Sequence, residues 1–472
     1  MKTNQSLALC IVLSITIVGC GVSPSVPWPT NRNLLDKKAV EFAEDIPKVA
    51  LEGLSLQSLR VDQSYPNTHV VVAASGGGAR ASAFTLGVLS ELQQRKFGES
   101  SNYLREIDYF SSVSGGGWGV ASYLTARLDV GPEFTMDDKV FNSLIKKYEK
   151  YEELRKDLFD CHSNSLEPIT QGKKLSEMYA YNGEAPTIPY IIPNITIAEN
   201  QSPFILSGEF VRKYQINSFS AESCEGNFKV DRDNIEKSIG NIPLSYAIAS
   251  SSSVPGFYLS MAASNICNDE YYAKSFYCIG ENNFSKLTLV DGGIFDNYGV
   301  MTAFDILSTK PKADKKILIV IDSNADATIP LNQSEGSNFS AATATGIHAG
   351  FPSKTIVIQK YLDKLGELQD VEVIYIGFSS LFVPENRFSE FNQDSLKAIS
   401  PELSRSVEDV LCFSDDEVQL QPGDSRREKS KDCSQNNLYR AAVLHKTTYK
   451  FDSAKFKSSF HLGKIATTLS LD

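Results

Sequence analysis

The chain has 472 residues, 42% of them apolar and 22% charged, and a formal net charge of -11. Such a length and composition suit a large globular core and exclude a disordered chain or a bundle of membrane spans. The acidic balance argues against nucleic acid as a partner, because phosphate binding wants a basic face that releases counterions; lipid stays open, without attraction to anionic head groups as the driving force.

At the N-terminus, Lys2 precedes an apolar run from Leu7 to Val18 that stops at Gly19-Cys20. The run is short for a bilayer span and reads as a secretory signal peptide over residues 1–19. The quartet Ile17-Val18-Gly19-Cys20 resembles a bacterial lipobox, which implies cleavage before Cys20 and acyl chains on its thiol. Each buried CH2 contributes roughly 0.8 kcal/mol, so several chains anchor stably where one does not. The expected place is the cell envelope, lipid-anchored, and Gly21 rather than Asp after Cys20 points to an outer membrane where the cell has one. The alternative is an ordinary signal peptide with an incidental cysteine. Residues 20–40 include "GVSPSVPWPTNRN", rich in Pro, Ser and Asn and suited to a tether, which leaves 41–472 as a single domain.

Of the eight cysteines, Cys10 leaves with the signal and Cys20 takes lipid, leaving Cys161, Cys224, Cys267, Cys278, Cys412 and Cys433. An even set in an exported chain suggests disulfides. The sequence does not choose the connectivity; pairing of neighbours is the expectation, Cys161 with Cys224, Cys267 with Cys278 and Cys412 with Cys433. Zinc is the competitor, but no CxxC occurs and the one adjacent Cys-His is Cys161-His162, so no metal is expected.

Near-continuous apolar runs at His69 to Ala74, Ile107 to Ser112, Leu287 to Val290, Ile317 to Ile321 and Val371 to Ile376 predict strands buried on both faces, as in a parallel sheet. Between the first two, Phe84, Val88 and Leu92 recur at helical spacing. Strand, helix, strand implies an α/β domain with helices on both faces of a mainly parallel sheet. Residues 130–240 lack this rhythm, contain charged helix-like text from Lys146 to Leu158, and read as an insertion; a C-terminal extension follows about residue 330, with a charged, turn-prone stretch from Ser414 to Asn437.

Three of the strands end in residues that can carry chemistry. The first runs into Ser75-Gly76-Gly77-Gly78-Ala79-Arg80-Ala81. Gly76, Gly78 and Ala81 fit a dinucleotide fingerprint, while the same loop could surround an oxygen that turns negative during a reaction. The second strand ends at Ser114 in "SVSGGGWG", one residue away from the G-x-S-x-G nucleophile elbow, with Ser112 in place of Gly. A third ends at Asp291-Gly292-Gly293. A dinucleotide site wants an acidic residue about 20 positions on, at the end of the next strand, and that strand ends in serines instead. A P-loop fails because no Lys-Ser/Thr follows the glycines. Oxyanion donors, a nucleophile and a base are the parts that acyl transfer requires.

The chain resembles the patatin-like phospholipases and, more distantly, the cytosolic calcium-dependent phospholipase A group. Four blocks carry the resemblance in family order: "SGGGARA" (75–81), "SVSGG" (112–116), "SYAIASSSSVPGFY" (245–258) and "VDGGIFDN" (290–297). The resemblance implies a Ser114/Asp291 dyad, backbone N–H groups of Gly76, Gly77 and Gly78 at the oxyanion, and Arg80 supporting that loop. It implies a lipid acyl hydrolase working through an acyl-serine, on a lipid or phospholipid substrate, with no cofactor. A triad remains the alternative: His69 starts the first strand, some 15 Å from its far end at roughly 3.3 Å per residue. His162 lies in the insertion, and His348, His445 and His461 are left. Asp296, Asn297 and Asp322 read as loop and strand-end hydrogen-bonders. The rival functions are an acyltransferase or small-ester esterase on the same dyad, and a non-catalytic acyl-binding envelope lipoprotein.

Overall fold

The apolar run after Thr68 forms β1 (Thr68–Ala74), of which only His69 is more than marginally exposed. A computed structural model of the chain describes residues 64–131, 134–155, 162–178, 188–199, 202–214, 216–221, 227–255, 258, 260–265, 286–323, 362, 370–381 and 450–471. They belong to one compact unit, residues 48–327 with 353–472. Cys20, the six cysteines expected to pair, His348 and His445 lie outside the described residues.

β1 leads through α1 (Gly78–Leu92) to β2 (Ile107–Ser112), and β2 through α2 (Ser114–Val130). Next come α3 (Asp138–Leu154), α4 (His162–Thr170) and β3 (Tyr190–Pro193). With β10 (Lys315–Asp322) and β11 (Glu372–Gly377), these strands make a parallel sheet in the order β11-β10-β1-β2-β3. The order reverses direction at β1, so the loop at its carboxyl end, Ser75 to Gly78, opens where sheets of this kind bind ligands. Segment 130–240 supplies the edge strand β3, and the chain beyond residue 330 supplies the opposite edge, β11.

One strand departs from expectation. The run ending at Asp291 forms β9 (Lys286–Asp291), but in a second, antiparallel sheet. Its partners are β4 (Ile195–Ile197) and β8 (Met261–Asn265), and the sheet order is β5-β4-β9-β8-β6-β7 with β5 (Ser202–Phe204), β6 (Ile216–Ala221) and β7 (Asn227–Lys229). A short apolar run reports burial on both faces and carries no information on strand direction.

The two sheets meet at one residue. β3 pairs with β2, Asn194 turns the chain, and β4 pairs with β9 so that Ile195 stands opposite Asp291. Asn194 ties the corner with its N–H on Ser112 O (2.8 Å), its Nδ2 on Ser111 Oγ (2.9 Å), and its Oδ1 accepting from Thr302 Oγ1 (2.5 Å). Gly292 lies so close that a Cβ there would be 2.1 Å from Asn194 O.

Helices pack backbone to backbone around the first strand ends. A Cβ on Gly115 would lie 2.0 Å from Gly78 O, and one on Gly119 2.7 Å from Ser82 O, which lets α2 sit directly on α1. The C-terminal helix α7 (Ser453–Leu471) closes the other side of α1, where Gly87 faces Phe460 O and Gly463 faces Phe84 O at 1.9 and 2.2 Å from their would-be Cβ atoms. α3 completes the layer through Phe141 stacked on Phe460 (centroids 3.7 Å apart) and through Tyr148, whose hydroxyl meets Ser82 and Ser122. All fifteen residues of α1 are buried as a result. One methyl at Gly87 would force the helices apart, so Gly87→Ala is expected to destabilise the fold by about 2–3 kcal/mol, read as a lowered urea midpoint with an unchanged m-value.

Candidate active site

Ser114 begins α2 directly after β2, with φ +48°, a left-handed conformation that a non-glycine residue adopts only when its surroundings impose it. The tight turn needs bare neighbours: a Cβ on Gly116 would lie 2.5 Å from Ser75 O. Ser112, which replaces the usual glycine of the elbow, fits because Gly117 stands against it, 3.3 Å from its Oγ even if given a Cβ. Ser114 is 2% exposed, and its N–H donates to Ser251 Oγ (3.1 Å).

Asp291 closes β9 and is 4% exposed. Its N–H donates to Ser253 O (3.0 Å), and its Oδ1 accepts from Gly293 N–H (2.7 Å). Burial pushes its carboxyl up to about 7, held from rising further by the Gly293 N–H and, less, by the Ser114 hydroxyl. Ser114 Oγ and Asp291 Oδ2 are both buried without a hydrogen bond of normal geometry. The hydroxyl is near enough to lower the pKa of the carboxyl but is not aligned on it as a hydrogen bond.

The glycine loop meets Ser114 directly and reaches the Asp291 side through Asn297. A Cβ on Gly76 would stand 3.3 Å from Ser114 Cβ and 2.3 Å from Asn297 Oδ1; the same oxygen would lie 2.6 Å from a Cβ on Gly293. Gly77 (φ +139°) and Gly78 (φ +63°) turn the loop into the N-terminus of α1. Gly76, expected as one of three donors, gives its N–H to Asn297 O (2.9 Å). Ser323 latches the loop, with its N–H on Ser75 Oγ (2.9 Å) and its Oγ on Gly76 O (3.1 Å). Arg80 is buried behind it, lying over the Phe378 ring (5.3 Å); burial lowers its guanidinium to about 10, and Asp322 opposes the shift.

The structure thus gathers Ser114, Asp291, the glycines and Arg80, expected from the sequence, at one place. Asp296 accepts from Tyr298 N–H (3.0 Å) and Met301 N–H (2.8 Å), and Asp322 from the Tyr375 hydroxyl. Of the described histidines, His69 pairs with Asp314 (3.0 Å), His461 lies in α7, and His162 is bonded to Ser252 Oγ (2.9 Å). Ser251, Ser252, Ser253, Asn194 and Ser323 had no readable role; the run of four serines was visible, but not what it touched. Among the described residues no group of three or more His, Cys, Asp or Glu side chains could hold a metal ion.

The patatin-like phospholipase family model matches residues 72–304, which span the glycine loop, Arg80, Ser114, the turn from Ser251 to Ser253 and Asp291. Residues 72–304 are a patatin-like phospholipase segment. No curated protein matches the chain. Similar solved structures include human GIVD cytosolic phospholipase A2, at 14% identity and a TM-score of 0.40, covering 92% of this chain and 65% of that one. The same human enzyme in complex with methyl gamma-linolenyl fluorophosphonate and terbium chloride gives 14% and 0.38, covering 92% and 62%. With the fluorophosphonate alone it gives 15% and 0.35, again covering 92% and 62%. The chain thus spans just under two thirds of the length of these structures.

The buried Asp291 makes a stability test available in the patatin-like domain. Its carboxyl titrates near 7 when folded against an ordinary value of 3.8, so the folded state holds the proton more tightly and stability falls as pH rises through that window. Asp291→Asn removes the buried charge. It is expected to be more stable than the parent at pH 8 by on the order of 3–4 kcal/mol and to lose that advantage at pH 4, measured by chemical denaturation at both values.

Proposed function

We propose that the protein hydrolyses carboxylic esters of lipids through an acyl-serine intermediate, with Ser114 as nucleophile and Asp291 as general base. The observation that carries this reading is the pairing of a strained, helix-initiating serine with a buried carboxyl poised near neutrality. A base works best when its pKa lies near the operating pH.

Ser114 Oγ attacks the ester carbonyl carbon while its proton passes to Asp291. The carbonyl oxygen becomes an oxyanion against the N–H groups of Gly77 and Gly78, at the positive end of the α1 dipole. When the tetrahedral adduct collapses, the bond to the alcohol oxygen breaks and Asp291 returns the proton to that oxygen. Water then attacks the acyl-serine, gives its proton to the same carboxylate, and the acid leaves as Ser114 Oγ is reprotonated. Arg80 holds the loop from behind and takes no proton. Lipidated Cys20 would keep the site beside membrane substrate and raise its effective concentration; the described residues contain no helix long and apolar enough to cross a membrane. Cys20→Ser is expected to move the protein from the membrane to the soluble fraction.

Purified protein assayed on phospholipid and short-chain ester should lose activity in Ser114→Ala and Asp291→Asn. In the parent, kcat/KM should rise with pH to a plateau with a midpoint near 7, because Asp291 accepts a proton only when ionised. Unchanged turnover in Ser114→Ala would sink the mechanism. Gly77 adopts φ +139°, so Gly77→Val strains the loop where the oxyanion forms; kcat should fall about 100-fold or more with little change in KM. A raised KM at constant kcat would return the loop to a ground-state binding role.

A further inference from the structure

Ser114 and Asp291 come from different sheets, and among the described residues one further segment, besides the Asn194 corner, hydrogen-bonds to both strand ends. It is the end of α5 (Leu244–Ser251) and the two residues after it. Ser251 gives its Oγ to the Ser114 N–H (3.1 Å) and its carbonyl to the Gly292 N–H (3.2 Å); Ser253 gives its carbonyl to the Asp291 N–H (3.0 Å). Ser252, between them, points the other way and accepts from Trp118 Nε1 (3.1 Å).

The proton count on Ser252 Oγ is closed. A hydroxyl has one proton and two lone pairs. The proton goes to Ile248 O (2.8 Å), which continues the helix turn, and Trp118 fills one lone pair. His162 Nε2, 2.9 Å away, fills the other and therefore carries the hydrogen. The ring is held by stacking on Tyr258 (centroids 3.8 Å) and is kept neutral, its pKa driven down to about 3 by burial and then by Arg155. Trp118, one turn after Ser114 on α2, and His162, on α4, thus grip the same oxygen from two helices.

We infer that His162, Ser252 and Ser251 form a bracket that fixes the separation of Ser114 and Asp291, with His162 and Ser251 as positioning residues for the reaction. The inference rests on the dyad reading above. None of the three need touch substrate. Their effect is geometric: misplacing a reacting pair by about 1 Å can lower a rate on the order of 100-fold. Loosening Ser114 also removes the hydroxyl that helps to hold the Asp291 carboxyl down, so the pH at which the base ionises should rise.

The test compares Ser251→Ala, His162→Phe and His162→Gln with the parent, Ser114→Ala and Asp291→Asn, all as full-length chain. Rates are scored per active site, titrated with a fluorophosphonate that labels activated serine, so poorly folded material drops out of the comparison. Ser251→Ala and His162→Phe should lower kcat about tenfold, leave KM within about twofold, and move the acid limb of the pH profile to higher pH. His162→Phe keeps the ring on Tyr258 and removes only the N–H; His162→Gln restores a donor at similar reach and should recover most of the rate. If the bracket were merely structural, the titrated fraction would fall while kcat per site and the acid limb stayed put, and the inference would be overturned. A kcat in His162→Gln as low as in His162→Phe would remove His162 from the bracket. Parent-like labelling in Ser114→Ala would overturn the dyad itself, an outcome separate from a dead Ser114→Ala beside parent-like Ser251→Ala, which overturns the bracket alone.

Discussion

The structure of the site depends on bringing the ends of two differently built sheets within reach of each other. Ser114 follows a strand of the parallel sheet, and Asp291 ends a strand of the antiparallel one. β3 and β4, joined at Asn194, pair with one sheet each and set the coarse distance between them. Backbone hydrogen bonds at a strand corner are stiff, because shifting either strand by a residue would turn buried side chains to the wrong face. The turn from Ser251 to Ser253 then spans the same gap on the other side.

Burial follows from this closure and supplies the electrostatics. A carboxyl enclosed by two sheets loses water, its charged form is disfavoured, and its pKa climbs toward neutrality. The same enclosure would be ruinous around an unpaired cation, and Arg80 shows the countermeasure, an aromatic face and the Asp322 carboxylate beside it. The glycines allow the enclosure to be so tight. Gly115, Gly116 and Gly292 each stand where a side chain would collide with backbone of a neighbouring element, so their lack of a side chain is what lets helix, loop and strand ends converge.

Much of this was legible in the chain. Apolar runs of strand length marked β1, β2, β9, β10 and β11, and the residues at their ends marked the glycine loop, Ser114 and Asp291. These signals survive in sequence because they are local: a turn with positive φ demands glycine or a strained serine, and a buried strand demands a run of apolar residues. The direction of β9 was not local. It depends on which strand lies beside it, and that partner, β4, is some 90 residues earlier in the chain. Likewise, Gly76 reads as a donor by its place in the loop, and only the approach of Asn297 O shows where its N–H goes.

The sequence by itself determined the α/β class, which residues stand at the strand ends and the family resemblance, since each is written in short stretches whose physics closes over a few residues. The tertiary structure decided which sheet carries Asp291, how far its pKa rises, and that His162, Trp118 and the serine run converge behind the site. Those properties come from neighbours distant in the chain, whose meeting is fixed by packing and hydrogen-bond satisfaction rather than by any pattern along the backbone.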